Sequence, residues 1–436
     1  GAHAARAAMM MLMSEVEAGH GCPISMTYAA VPALRAEPAV AAEWEPRLTS
    51  LTYDPRLVPP PEKAGALCGM AMTEKQGGSD VRANTTRAEP LHAPGEYALI
   101  GHKWFCSAPM CDAFLVLAQA PGGLSCFLLP RILPDGTRNA FRIQRLKDKL
   151  GNRSNASAEI ELDGAWARLI GGEGRGVDSI VEMVNHTRLD CVLGSAGLIR
   201  RAVAEATHHA AHRSAFGQPL VDQPLMRNVL ADLCLDSEAA TLTAMRLARS
   251  VDEAATEASA APLKRLSVAV GKYWVCKAAV GVVAEALECL GGNGYVEESS
   301  MPRLYRETPL NSIWEGSGNV NALDVLRILT RSPAALDAFF AEVDLAAGAD
   351  PRLDAHVAGL KRGLGDHGEL EARARRIGED LALALQGSLV VRHSPPEVAD
   401  AFCASRLGGQ GGRAHGTLPP GTDFGAIIER HRPRRG

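Results

Sequence analysis

The sequence predicts an α+β fold in which helices and strands occupy separate stretches of the chain. Three observations lead there. The start is rich in Ala and Met with no breaker before Gly19, and apolar residues recur at three- and four-residue steps from about residue 174 to 329. Between them, from about residue 65 to 169, short apolar runs alternate with Gly, Pro and Asp. A triple proline, Pro59, Pro60 and Pro61, marks a linker before that change.

Residues 4–34 are rich in Ala and Met and read as a helix, a Gly-Cys-Pro loop and a second short helix. Runs at 97–100, 114–118, 125–129 and 158–162 read as strands of a small antiparallel β domain. Val192, Ala196, Ile199 and Val203 share one helical face. Residues 225–251 hold no Pro or Gly, and 262–290 are broken only by Gly271 and Gly281, so long helices of a bundle are expected. Helix continues to about residue 389. The Gly-, Pro- and Arg-rich end after Gly408 reads as a poorly ordered tail.

The bulk numbers exclude several classes. A net charge of -4 gives no general attraction to nucleic acid or an anionic membrane. No unbroken run of eighteen apolar residues occurs, so no membrane-spanning helix is expected. No signal-peptide pattern is found at the start. The chain opens on Gly1 within an expected helix, so further residues are expected upstream. The ten cysteines stand singly, without a C-x-x-C pair, which fits reduced thiols and a cytoplasmic location.

Four segments can carry chemistry. In Thr73-Glu74-Lys75-Gln76-Gly77-Gly78-Ser79-Asp80 a loop can offer amides and hydroxyls to a phosphate, although such loops are often plain turns. Trp104-Phe105-Cys106 could flank a planar ring or simply cap a β core. Arg213 and Phe216 end a helix. An Arg there suits a pyrophosphate through its planar fork, or satisfies helix carbonyls. Finally, Glu288, Gly291 and Gly292 precede Trp314-Glu315-Gly316-Ser317-Gly318-Asn319. A Glu between an aromatic and a glycine can become a useful base, or can merely begin the next helix. Glu205, His208 and His212 share helical spacing, but no second Glu-x-x-His follows, and no metal is expected.

The four segments occur in the order and approximate spacing of the acyl-CoA dehydrogenase superfamily, which this chain resembles from about residue 69 to 329. Within it the chain is most similar to AidB-type adaptive-response flavoproteins. The shared blocks are residues 72–81, 145–156, and Arg303-Leu304-Tyr305-Arg306-Glu307 leading into residues 311–319. The resemblance implies a partial N-terminal helical domain (1–64), a central antiparallel β-barrel (65–172), a C-terminal four-helix FAD-binding bundle (173–330) and a helical extension with a poorly ordered tail (331–436).

It also implies FAD, with Thr73, Ser79, Trp104, Phe105, Cys106, Trp314, Ser317 and Asn319 at the flavin side. Arg213, Phe216, Glu288, Gly291 and Gly292 would reach the FAD of a neighbouring subunit in a homotetramer. Glu315 stands at the place of the catalytic base, and Arg188 at that of a residue ordering the substrate region. Some members carry the base just before that Arg, where this chain has Thr187. Cys106, Ala215 and Glu288 depart from the usual hydroxyl or amide residues. The implied reaction is α-proton abstraction from an acyl-CoA with β-hydride transfer to flavin. The alternative is a flavoprotein that binds double-stranded DNA in the alkylation-damage response. For that role, Arg373, Arg375 and Arg376 and the stretch 430–435 are the basic clusters.

Overall fold

The computed structural model describes residues 1–366 and 368–433. Contacts group them into two compact units, Ala18–Thr187 and Gly1–Glu17 with the chain from Arg188 onward. Helix α1 (Ala2–Val16) is followed by α2 (Gly21–Leu34) and α3 (Pro38–Leu48). The Gly-Cys-Pro triplet expected as a loop instead forms the first turn of α2, where a proline's missing N–H costs nothing. Helix α3 was not anticipated. Its Val40, Ala41, Trp44 and Leu48 make one buried face despite Pro38 and Pro46.

In the Ala18–Thr187 unit the strands are β1 (Cys68–Ala71), β2 (Arg87–Pro90), β3 (Glu96–Ser107), β4 (Ala113–Ala120), β5 (Gly123–Pro130), β6 (Phe141–Leu146) and β7 (Ser157–Ile170). The order β4-β2-β3-β7-β5 closes through the β4–β5 pairing, making a barrel. Every expected run lies in a strand. The barrel is not wholly antiparallel: β1 runs parallel to β4 over Cys68–Ala71, and β2 meets β4 in parallel at Arg87. Leu34 and Trp44 pack with Leu115, Leu117 and Leu128 in one core.

The other unit is helical. It holds α4 (Gly176–His212) from Arg188 on, then a short hairpin of β8 (Ser214–Ala215) and β9 (Gln218–Pro219). Helices α5 (Pro224–Glu253), α6 (Ala260–Cys289), α7 (Gly292–Tyr295), α8 (Met301–Asn311) and α9 (Gly318–Arg331) follow. Helix α6 is apolar and long enough to cross a membrane, but 72% of its most apolar window is buried among the other helices. Asp252 of α5 caps α1 by accepting from the His3 and Ala4 amides at 2.9 Å.

Beyond α9 come α10 (Pro333–Val343), α11 (Pro351–Leu364), α12 (Leu370–His393), α13 (Pro396–Phe402) and α14 (Phe424–His431). Phe339, Leu353, Leu381 and Leu385 of this extension share a core with Val270 of α6 and Val325 of α9.

The segment after Gly408, expected as a poorly ordered tail, is instead fastened along α5. Asn228, Asp232 and Asp236 recur four residues apart and form a polar stripe there. Asn228 exchanges two hydrogen bonds with Leu418, Asp232 accepts from the Gly416 amide and the Arg406 guanidinium, and Asp236 meets His415 at 3.0 Å. Glu238 accepts from Arg430 at 2.8 Å.

Burial raises Asp236, but Arg406 and His415 outweigh it and hold the carboxyl at about 2. Burial lowers His415, and Asp236 more than reverses this, leaving it above 6.5. The Asp236 contribution is complete above about 4 and lost as pH falls towards 2. That of His415 is complete below about 6.5 and lost as pH rises through its raised value. Limited proteolysis should therefore release residues 408–433 more slowly at pH 5.5 than at pH 9, a difference absent in His415→Gln.

Candidate active site

Helix α8 ends in a turn that carries Glu315. The Trp314 amide closes on the Leu310 carbonyl at 3.1 Å, and the Trp314 indole donates to Asn311 at 3.0 Å. Glu315 then adopts φ +57 and Gly316 φ +102, before Ser317 starts α9. The first is a left-handed conformation in a residue with a Cβ, which costs about 1 kcal/mol or more. Helix α9 therefore begins after Glu315, which is not simply its first residue.

The strained turn is held by donors to its carbonyls. Arg188 Nε donates to the Glu315 oxygen at 3.0 Å. Lys272 Nζ and Asn321 Nδ2 donate to the Gly316 oxygen at 2.6 and 2.5 Å. A Cβ on Gly316 would stand 3.1 Å from Asn321 and Val320 and 3.4 Å from Arg188, so the site requires glycine on both space and φ. Arg188 is buried and also bonds Asp324 at 2.5 Å, and Arg265 shares that carboxylate at 3.0 Å. Burial pushes Asp324 up, but the two guanidiniums outweigh it and keep it below its ordinary value. Glu315 and Ser317 are half-buried beside this frame. Asn319 is exposed and accepts from Arg375 of α12 at 2.8 Å.

In the barrel unit, a register shift in the β3–β7 pairing between Lys103 and Cys106 breaks the two-residue alternation. Lys103 and Cys106 both turn inward, leaving Trp104 half-buried and Phe105 exposed. The Cys106 thiol is fully buried. Burial, with Cys111 and Cys22 nearby, raises its pKa, so it is not presented beside Trp104 as expected. Lys147 lies 3.5 Å over the Trp104 ring, a close cation–π contact.

The Thr73–Asp80 loop is pinned to β3. The Trp104 amide donates to the Thr73 carbonyl at 2.9 Å, and Glu74 and Gly77 exchange two main-chain bonds. A Cβ on Gly77 would meet the Asp80 carbonyl at 2.9 Å. Beneath the loop Glu74 and Lys103 pair at 2.8 Å with both side chains fully buried. Burial pushes Glu74 up, but bonds from Lys103 and Thr86 overcome it and bring the carboxyl to about 2. Ser79 is exposed at the loop tip.

Arg213 and Phe216 lie on the β8–β9 hairpin. Phe216 is 97% exposed at φ +52, and Arg213 is exposed without an ion-pair partner among the described residues. Gly291, at φ +58, ends α6 by donating to the Glu288 carbonyl at 2.8 Å. Glu288, Gly291 and Gly292 are exposed, and a Cβ on either glycine would meet open space.

Other candidate groups are committed elsewhere. Glu205 pairs with Arg201 and accepts from Ser300. Arg373 donates to the Gly363, Asp366 and Gly368 carbonyls, Arg376 pairs with Asp380, and Arg432 lies 3.6 Å from Glu429. Arg434 and Arg435 of the second basic cluster lie outside the described residues.

Sequence reasoning did not find Lys272, Asp324, Arg375 or the Glu74–Lys103 pair as parts of these sites. The available signal was charge in the wrong setting: Lys272 stands within the otherwise apolar run 268–276.

Three family models match: the AidB N-terminal domain at residues 1–55, the acyl-CoA dehydrogenase middle domain at 69–165 and the acyl-CoA dehydrogenase C-terminal domain at 174–330. The chain is 50% identical to AidB of Escherichia coli (strain K12) over 416 residues, covering 94% of this chain and 76% of that protein. A structure of Caenorhabditis elegans ACDH-11 in complex with C11-CoA superposes with a TM-score of 0.80 at 32% identity, over 89% of this chain and 72% of that one. The apo form of Bd2924 gives 0.80 and 32%, over 92% and 78%.

Proposed function

Since the chain belongs to the acyl-CoA dehydrogenase family of flavoproteins, in its AidB-type branch, we propose that it holds FAD and oxidises an acyl-CoA with Glu315 as the base. One observation carries the reading: a half-buried carboxylate sits on a left-handed turn whose two carbonyls are pinned by Arg188, Lys272 and Asn321. Such strain persists where the surroundings over-determine it, commonly at functional sites.

The residues fit the cofactor. Trp104 and Phe105 offer ring surface, and Ser79 and Thr73 offer hydroxyls. Arg213 offers an unspent planar cation and Phe216 an uncovered ring. The last two suit the FAD of a second subunit, in keeping with a homotetramer. When bound, FAD supplies a hydride acceptor for the substrate β-carbon. Glu315 takes the α-proton onto a carboxylate oxygen, and Thr187, at the alternative base position, has no group able to do so at neutral pH. The acyl-CoA held by the C. elegans relative supports this substrate class.

The test is anaerobic mixing of the FAD-loaded protein with acyl-CoAs of graded length. Loss of oxidised-flavin absorbance with at least one of them is expected. No loss with any chain length, in protein holding one FAD per chain, overturns the reading.

The DNA-binding alternative needs uncommitted positive charge. The described arginines of its two clusters are largely engaged within the chain, so no observation favours it. Duplex DNA is expected not to be retained even at low salt. Arg213→Ala is expected to lower FAD content on dialysis about tenfold, the scale of one charge-assisted hydrogen bond, with the circular dichroism spectrum unchanged.

A further inference from the structure

Two cations lie against the carbonyls of the Glu315 turn, and they differ in one respect. Arg188 has a carboxylate partner: Asp324 meets it at 2.5 Å, shared with Arg265 and Arg327. Lys272 is 1% exposed and pairs only with main-chain oxygen, the Gly316 carbonyl at 2.6 Å, among the described residues. An ammonium buried without a carboxylate is costly. Replacement by an apolar residue of similar length would suit the rest of α6, where Leu266, Val268, Val270 and Val275 are all buried. Stability alone does not account for a lysine there.

Its location is informative. Lys272 and Glu315 both act electrostatically on the buried Cys191 thiol. Burial raises that thiol, the Lys272 charge opposes the rise and the Glu315 charge adds to it. Cys276, one turn on from Lys272, is likewise raised by burial, with Lys272 opposing. Lys272 Nζ lies 2.6 Å from the carbonyl of Gly316, the residue after Glu315, so the lysine and the carboxylate flank the same turn.

We propose that Lys272 is a positioning residue for Glu315. Clamped on the Gly316 carbonyl, it fixes the left-handed turn that aims the carboxylate. The proposal rests on Glu315 being the base. In the step it serves, the proton passes from the substrate α-carbon to a Glu315 carboxylate oxygen. Lys272 neither gains nor loses a proton.

The test compares Lys272→Met with Lys272→Arg in the FAD-loaded full chain. Stopped-flow reduction by an acyl-CoA separates the limiting rate from the acyl-CoA Kd. Lys272→Met should lower the limiting rate by about 10- to 100-fold, as misplacement by about 1 Å does, with Kd and FAD per chain unchanged. Lys272→Arg should recover the rate to within about threefold of wild type, because it keeps both donor and charge. A rise in Kd with no change in limiting rate would overturn the proposal.

A second measurement does not need turnover. Hydrogen exchange of peptides spanning residues 312–324 should quicken about tenfold in Lys272→Met, while peptides from α5 stay as in wild type. Unchanged exchange at 312–324 overturns the positioning role whatever the rates do, and so does equal quickening throughout α5. A wild-type protein that no acyl-CoA reduces, but whose 312–324 exchange responds to Lys272→Met, overturns the assigned reaction and leaves the clamp standing. Should Lys272→Met fail to fold, Lys272→Leu, which likewise lacks a donor, provides the same comparison.

Discussion

Glu315→Gln is expected to slow flavin reduction by acyl-CoA about 10³- to 10⁴-fold, the upper range for removing a general base. The amide keeps the shape of the side chain but cannot accept the proton. The turn itself is held through main-chain oxygens, by Arg188, Lys272 and Asn321. FAD content, melting temperature and acyl-CoA affinity should therefore stay close to wild type. The measurement is stopped-flow absorbance at saturating acyl-CoA. A Glu315→Gln protein reduced within tenfold of the wild-type rate would place the base elsewhere.

The largest stability effect is expected at Lys103→Met. This change strands the Glu74 carboxylate in the barrel interior. Four other donors remain to it, from Gln76, the Thr85 amide and hydroxyl, and the Thr86 amide, but none carries charge. Breaking one side of a buried pair costs about 3–5 kcal/mol. For a unit of this size that corresponds to a fall of roughly 6–15 °C in melting temperature. Calorimetry of the full chain measures it, and a loss under about 1 kcal/mol would contradict the account.

The wild-type pH dependence has a definite sign. Glu74 is held at about 2 in the folded chain, below its ordinary 4.5. Its contribution, about 3 kcal/mol, is complete above pH 4.5 and fades as pH falls towards 2. In Lys103→Met most of that acid dependence should vanish.

The long helices and the barrel strands were legible because their signal is local. Residues 225–251 and 262–290 have largely helical composition, and the ends of α5 and α6 fall within two residues of them. Glu315 was legible through a motif. Its left-handed backbone was not, since nothing in a glutamate announces positive φ. That conformation depends on Arg188 and Lys272, far away in sequence.

The Glu74–Lys103 pair spans 29 residues, with Lys103 in the inward phase of Tyr97 and Leu99, and a bulge that no turn residue marks follows it in β3. That bulge turned Cys106 inward. The tail was misread for a related reason. Its Gly, Pro and Arg content favours disorder in isolation, but its partners are Asn228, Asp232, Asp236 and Glu238 of α5, roughly two hundred positions upstream. Composition reports what a segment can do alone, and this one does not act alone.

The core shared by α6, α9 and α10–α12 bears on how such a protein could be recombined. Phe339, Leu381 and Leu385 are filled in against Val270 and Val325, so no breakpoint near residue 331 yields two self-sufficient pieces. A chain cut at residue 330 would leave Val270 and Val325 without the Phe339, Leu381 and Leu385 side chains that pack with them. To transplant the extension, the matching faces of α6 and α9 must travel with it.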